Sequence, residues 1–324
     1  MAQYKIPNTD LETSRIAFGT WHLGGSWDNA PLTDDLTQRA DDLIHVAVDN
    51  GINLIDLADI YTRGKSDEVV GTVIKNDPSI REKVILQAKT GIVLPDELYT
   101  GSIPHYDFSY ENITSKVETT LQRLNTDYVD LLLLHRPDPL VEPDEVARAF
   151  NDLQSSGKVR YFGVSNHTWA QIELLKKSVE QPLVINQLEL NVIHNDLIND
   201  GILSNMTSNT YTGARATLEY CRLKDMMIQA WSPLANGQIF NPADDAPNNI
   251  KNTSHVLGEL AGKYNTNKAA IALAWLLRHP AQIQPILGTM KAYRIPESME
   301  ADKIDLTRLE WYQLLATANG AGIP

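Results

Sequence analysis

Four side chains far apart in the chain, Asp56, Tyr61, Lys89 and His135, have the makings of a proton-transfer centre. A free tyrosine ionises near pH 10, so unaided it is a poor proton shuttle at neutral pH. A lysine ammonium within hydrogen-bond reach favours the phenolate and lowers that value. A carboxylate on the far side of the lysine would keep it charged and oriented. Asp56, Lys89 and Tyr61 can thus make a tuned general acid/base, and His135 could polarise a substrate carbonyl by donating a hydrogen bond. Taken singly, each has a plainer reading: a buried salt bridge or cap for the charged groups, and a loop aromatic packed on Trp21 for Tyr61.

Such a centre needs a scaffold that brings the four together. Short apolar runs recur along the chain: RIAFGTW from Arg15, INLID from Ile52, VILQAKT from Val84, YVDLLLLH from Tyr128, VRYFGVSN from Val159, LVINQLEL from Leu183, MMIQAWSPL from Met226 and IQPILGT from Ile283. Each reads as a strand bounded by polar, Gly or Pro signals. Helical patterns with start signals separate many of them, at Thr33, Ser66, Ser109, EPDEV, Thr168 and Asn267. Gly51 and Gly157 fall where helix ends need a left-handed residue. A doubly wound sheet would show a glycine-rich phosphate loop after its first strand. The only Gly-x-Gly is Gly320-Ala321-Gly322, near the C-terminus. The expected fold is therefore α/β: a single (β/α)8 TIM barrel over residues 1–324, with YKIPNTDLETSRI as an N-terminal β-hairpin.

On a barrel, function sits where strands end. Asp56 ends the second strand, Lys89 the third and His135 the fourth. Asn166 follows the fifth, Gln187 lies in the sixth, Trp231 ends the seventh, and Gly288-Thr289 follow the eighth. Seven strands presenting distinctive groups at one rim are hard to explain as packing. Three polar stretches, Leu94–Phe108, Asn195–Gly213 and Ala235–Asn249, read as long loops on the same face.

Composition narrows the class. Lys and Arg number 28 against 41 Asp and Glu, a net charge of −13, which disfavours nucleic-acid binding. Cys221 is alone, so an intrachain disulfide framework is excluded. MAQYKIPNTD has no apolar signal core and no run approaches a membrane span. The expectation is a cytoplasmic protein with no membrane partner, monomeric or weakly dimeric, acting on a small molecule.

The ordered motifs resemble the aldo-keto reductases. DLADIY with Tyr61, the lysine of QAKT and the histidine of LLLLHRPDP resemble that family's Asp/Tyr/Lys/His tetrad. FGTW, GVSN, NQLE, WSPL and ILGT resemble its first-strand and cofactor segments, in order. The resemblance runs from about residue 14 to residue 316 and implies a nicotinamide cofactor, NADP(H), bound without a Rossmann domain. It places Ser165, Asn166 and Gln187 at the nicotinamide carboxamide and Trp231 against the ring, where the family more often has tyrosine. Ser232 and Leu234 of WSPL and Gly288 of ILGT fall in the same cofactor segments. Thr289, Lys291 and Arg294 match the segment for the adenosine 2′-phosphate, with Arg294 suited to bidentate contact. Glu297 matches an adenine-contacting glutamate, and Ser298 stands where asparagine is common. Trp21, His22 and Trp27 are candidates for the substrate wall, with Tyr106 a further one.

The leading expectation is NADPH-dependent reduction of an aldehyde or ketone to an alcohol, with Tyr61 as general acid. An alternative from another class is an NADPH-binding redox sensor or regulatory subunit with little turnover. A metal-dependent hydrolase built on Asp56, Asp59 and His135 is disfavoured because a lysine at the centre repels a divalent cation. No metal is expected.

Overall fold

The computed structural model describes residues 3–95, 102–203 and 216–324. An antiparallel hairpin comes first, pairing β1 (Gln3–Lys5) with β2 (Glu12–Ser14), and Asn8 turns within it at a φ of 60°. Then follow β3 (Ala17–Gly19), β4 (Leu54–Asp56), β5 (Ile85–Thr90), β6 (Ile92–Val93), β7 (His105–Tyr106) and β8 (Val129–Leu134). The last four are β9 (Val159–Ser165), β10 (Leu183–Glu189), β11 (Met227–Trp231) and β12 (Gln284–Leu287). Among the described residues, eight parallel strands close into a barrel in the order β3-β4-β5-β8-β9-β10-β11-β12. All eight expected strands are present, and β6 and β7 make a separate antiparallel pair.

Helices fill the connections: α1 (Asp34–Asp49), α2 (Lys65–Asn76), α3 (Ser79–Lys83), α4 (Tyr110–Leu124), α5 (Pro143–Ser155) and α6 (Trp169–Leu175). After them come α7 (Asp196–Ile202), α8 (Thr217–Leu223), α9 (Asn248–Lys263), α10 (Lys268–Leu277), α11 (Arg294–Met299) and α12 (Arg308–Asn319). Thr33, Ser109, Thr168 and Asn267 each cap a helix by accepting from a backbone N–H, and Thr168 completes a capping box with Gln171. Gly51 and Gly157 follow α1 and α5 with φ of 81° and 75°, the left-handed geometry expected at a helix end. Among the described residues, no helix is long and apolar enough to cross a membrane.

Some local expectations are corrected. Ser66 does not open its helix. α2 starts at Lys65 behind the left-handed Gly64, and the buried Ser66 hydroxyl donates to Thr20 O at 2.8 Å. The Leu94–Phe108 stretch contains β7, and Asn195–Gly213 contains α7, whose Leu197 and Ile198 are buried. Residues 96–101 and 204–213 of those stretches lie outside the described residues. The Ala235–Asn249 stretch opens with a single 3-10 turn, Ala235–Gly237, and ends as α9 begins.

Alternation along each strand divides the barrel into layers. A floor of Leu54, Ile85, Leu131, Leu133, Ile185, Met227 and Ile286 is capped by Tyr4, Ile6 and Leu11 of the hairpin region. Two residues further along, the inward positions turn polar: Asp56 on β4, Gln87 on β5, Gln187 on β10 and Gln229 on β11. Gln284 brings an amide from β12. The larger apolar cluster lies outside the barrel, between strands and helices. The fold thus buries a polar layer on an apolar floor.

Candidate active site

Register brings the first pair together. Asp56 and Lys89 end up on adjacent strands, and Lys89 Nζ lies 2.5 Å from Asp56 Oδ1. Their side chains are 4% and 0% exposed. Burial lowers the Lys89 ammonium from its ordinary value, while Asp56, Asp67 and Asp59 pull it back up.

Tyr61 reaches the same place from the loop after β4. Its backbone N–H closes a turn on Ala58 O at 2.9 Å, and the chain then leaves through left-handed Thr62 and Arg63, with φ of 48° and 61°. Gly24 packs so closely on this turn that an added Cβ would fall 2.2 Å from Thr62 Oγ1. Non-glycine residues held in that region are costly, so the surrounding packing must fix them. Lys89 Nζ sits 5.1 Å from the centroid of the Tyr61 ring, and His135 meets the ring edge-on with centroids 5.8 Å apart. The structure brings all four expected groups together.

The electrostatics differ from the expectation in one respect. Rather than being lowered by lysine, the Tyr61 phenol is pushed well above its ordinary value of 10.0. Burial is the largest cause, followed by the negative charges of Asp56 and Asp67, with Arg136 opposing. Lys89 hydrogen-bonds Asp56 and faces the Tyr61 ring, so its charge is largely spent on the carboxylate. Tyr61 is therefore a fully protonated donor at neutral pH. Burial, with Lys89 and Arg136, drives His135 well below its ordinary range, so its imidazole is neutral. Its buried Nδ1 has no hydrogen-bond partner among the described residues. An unpaired acceptor is tolerated better than an orphaned N–H, which favours the tautomer with the proton on Nε2.

The expected nicotinamide residues form a connected set. Ser165 Oγ donates to Gln187 O at 2.9 Å, and Asn166 Nδ2 donates to Ser165 Oγ at 2.8 Å and to His135 O at 3.2 Å. Trp231 Nε1 donates to Asn166 Oδ1 at 3.0 Å, fixing the indole plane. The Gln187 amide nitrogen donates to Asp56 Oδ1 at 2.8 Å and to Gln229 Oε1 at 3.0 Å. Its carbonyl oxygen is the end left to accept from a carboxamide N–H. A flat, half-buried indole flanked by amide and hydroxyl groups fits a nicotinamide ring in both shape and polarity.

Ser232 adopts a φ of 49° directly after Trp231, and Leu234 packs against the main apolar cluster. Further round the rim, Gly288, Lys291 and Arg294 are exposed, and Lys291 N donates to Thr289 Oγ1 at 3.2 Å. Arg294 opens α11, Glu297 is exposed on it, and Ser298 is buried. On the substrate side Trp21 lies between Trp27, at 4.9 Å, and Tyr61, at 5.0 Å. Trp21 and Trp27 remain 43% and 37% exposed, and the packing of Tyr61 on Trp21 is realised as well. His22 is exposed and touches Trp21 edge-on. Tyr106 is exposed on β7.

Sequence reasoning missed three residues here. Arg136 stands 5.6 Å over the Trp231 ring, and Gln87 and Gln229 reach into the polar layer. The signal was available: a polar residue two positions before Lys89, and another two before Trp231, shares its inward face.

The chain resembles known proteins along nearly its whole length. The Aldo/keto reductase family model matches residues 15–317. A 6-dehydroglucose reductase of Agrobacterium fabrum is 33% identical over 311 residues, covering 96% of each chain. Uncharacterized oxidoreductase YcsN of Bacillus subtilis is 35% identical over 318 residues, 97% of each, and oxidoreductase YdhF of Escherichia coli is 34% identical over 313, 97% of this chain and 96% of that one. Among solved structures, a glycerol dehydrogenase from Gluconobacter oxydans superposes with a TM-score of 0.80 at 26% identity, covering 99% of this chain and 97% of that one.

Proposed function

The chain belongs to the aldo/keto reductase family, and from that premise we propose that it reduces an aldehyde or ketone to an alcohol with NADPH. The observation that carries the reading is the buried Asp56–Lys89 pair at 2.5 Å, set against Tyr61 with neutral His135 at its edge. The cofactor, when bound, supplies the hydride; the protein supplies orientation and the proton. Ser165, Asn166 and the Gln187 oxygen would hold the carboxamide, with Trp231 against the ring. Tyr61, protonated at neutral pH, gives its proton to the carbonyl oxygen, and His135 Nε2–H is the second donor around the developing alkoxide.

Lys291 and Arg294 support NADPH over NADH, since two exposed cations and the Thr289 hydroxyl suit a phosphate monoester. The substrate we propose is a small hydroxylated aldehyde. The names of the 6-dehydroglucose reductases support this class. So do the exposed indoles of Trp21 and Trp27 beside Tyr61 and the Arg136 guanidinium over Trp231, which offer aromatic faces and hydrogen-bond donors to hydroxyl groups. Purified protein should oxidise NADPH with such an aldehyde, and Tyr61→Phe should not. Comparable turnover in that variant would sink the mechanism.

A further inference from the structure

Barrel interiors are ordinarily filled by branched apolar side chains. Here the layer that holds Asp56 also contains four glutamines, all buried, from four strands. Gln87 and Gln229 exchange hydrogen bonds reciprocally, Gln87 Nε2 to Gln229 Oε1 at 2.8 Å and Gln229 Nε2 to Gln87 Oε1 at 3.0 Å. Gln229 Nε2 also donates to Gln284 Oε1 at 2.8 Å, and Gln284 Nε2 donates to Thr13 Oγ1 at 2.9 Å and to Ser14 O at 2.6 Å. At the other end Gln87 Nε2 and Gln187 Nε2 reach Asp56 Oδ1, at 2.7 and 2.8 Å. A line of hydrogen bonds therefore runs from the hairpin at the barrel floor to the carboxylate of the site.

We infer that Gln87 and Gln229 are positioning residues that hold Asp56 against Lys89 and couple that pair to Gln187. The Gln187 part of this rests on the cofactor reading proposed above. Apolar residues of similar volume would fill the layer with less desolvation, so packing alone does not account for four amides. Asp56 Oδ1 receives three donors at once, Lys89, Gln87 and Gln187. These fix its rotamer and so the place of Lys89 Nζ on the Tyr61 ring. Gln229 Oε1 accepts from both amides that serve Asp56, which sets the direction each of them faces. Because the Gln187 nitrogen is held by Asp56 and Gln229, its oxygen is presented in one orientation. A glutamine left with an orphaned buried amide would turn to find another partner.

The tests are Gln87→Met and Gln229→Met, with Met227→Ala in the apolar floor on the same strand as Gln229 as the packing control. One readout needs no turnover: titration of Lys89 in the protein without cofactor, by 13Cε-lysine NMR, assigned with Lys89→Met. The groups acting on Lys89 are Asp56, Asp67 and Asp59, with Tyr61 beside it and His135 within its field. With an amide donor gone, Asp56 is less firmly held against Lys89, whose ammonium it keeps up against burial. The Lys89 titration in Gln87→Met should thus move down by about half a unit or more. Gln229→Met should weaken NADPH, measured by fluorescence quenching, about three- to tenfold as Gln187 loses its anchor. Met227→Ala should lower the melting temperature and move neither readout.

An unchanged Lys89 titration in Gln87→Met, or movement in Met227→Ala as large as in the glutamine variants, overturns the inference. Failure of wild-type protein to bind NADPH overturns the functional reading instead, and leaves the Lys89 titration to judge the positioning of Asp56.

Discussion

Lys89 Nζ donates to Asp56 Oδ1 at 2.5 Å, and both side chains are buried under the rim of the barrel. A charge in such a place is tolerated only with its partner, and removing one member of a buried pair costs about 3–5 kcal/mol. Here two glutamine amides remain on Asp56 when the lysine goes, which places Lys89→Met toward the lower part of that range. The urea midpoint should fall with an unchanged m-value. Carbonyl reduction should fall by about a hundredfold or more, because Tyr61 then faces the uncompensated carboxylate. Wild-type activity in this variant would mean the pair is structural only.

Tyr61 is buried and its phenol is held well above the usual range by burial and the carboxylates around it. Tyr61→Phe removes the proposed proton donor and keeps the ring contacts with Trp21 and His135. Loss of general acid catalysis should lower kcat by about 10²–10⁴-fold, with NADPH affinity within about twofold, since the contacts expected for the carboxamide come from other strands. Steady-state kinetics beside a fluorescence titration separates the two effects. A large loss of NADPH affinity would place the hydroxyl in binding rather than in proton transfer.

The eight strands and the four clustered groups were legible because both follow from local pattern: apolar runs ending in a distinctive polar residue. Strand ends converge on one rim once the barrel closes, so spacing in sequence becomes proximity in space. Other features were not legible because they depend on pairing. Whether Lys89 faces Asp56 or the Tyr61 hydroxyl is decided by register and rotamer, and the expected lowering of the phenol did not survive that choice. The inward facing of Gln87 and Gln229 could be read from their spacing to Lys89 and Trp231, but their partners could not, because those depend on how four strands pair. Helix α7 was hidden by its polar composition, and only the burial of Leu197 and Ile198 gives it a core-facing side.

Lys291 lies exposed between β12 and α11, and Arg294 is exposed as the first residue of α11, on the C-terminal side of the barrel strands. If they hold a 2′-phosphate, Arg294→Ala should raise KM for NADPH about tenfold and leave KM for NADH nearly unchanged, the loss expected for one charge-assisted contact. Raising the ionic strength should narrow the difference between the cofactors, because both cations are solvent-exposed. Equal effects on the two nucleotides would move the phosphate site elsewhere.

Asp59 presents the opposite case from Asp56, a buried carboxyl without a cation of its own. Thr90 Oγ1 donates to its Oδ2 at 3.2 Å, while its Oδ1 has no partner among the described residues. Burial raises it from 3.8 to about 6, with Lys116, Thr90 and Arg123 pulling the other way. Between those two values the folded state binds the proton and the unfolded state has released it. This group's contribution to stability is therefore fully present below about pH 4, and it is lost as the pH rises through about 6. Asp59→Asn keeps an acceptor for Thr90 and removes the ionisation. The variant should gain on wild type as pH rises from 4 to 7, approaching about 2–3 kcal/mol at neutral pH. Asp67, also buried and raised, senses the Asp59 charge and should titrate lower in the variant. Denaturation curves at pH 4, 5.5 and 7 measure the trend; a difference that does not grow with pH would show that Asp59 is already ionised at little cost.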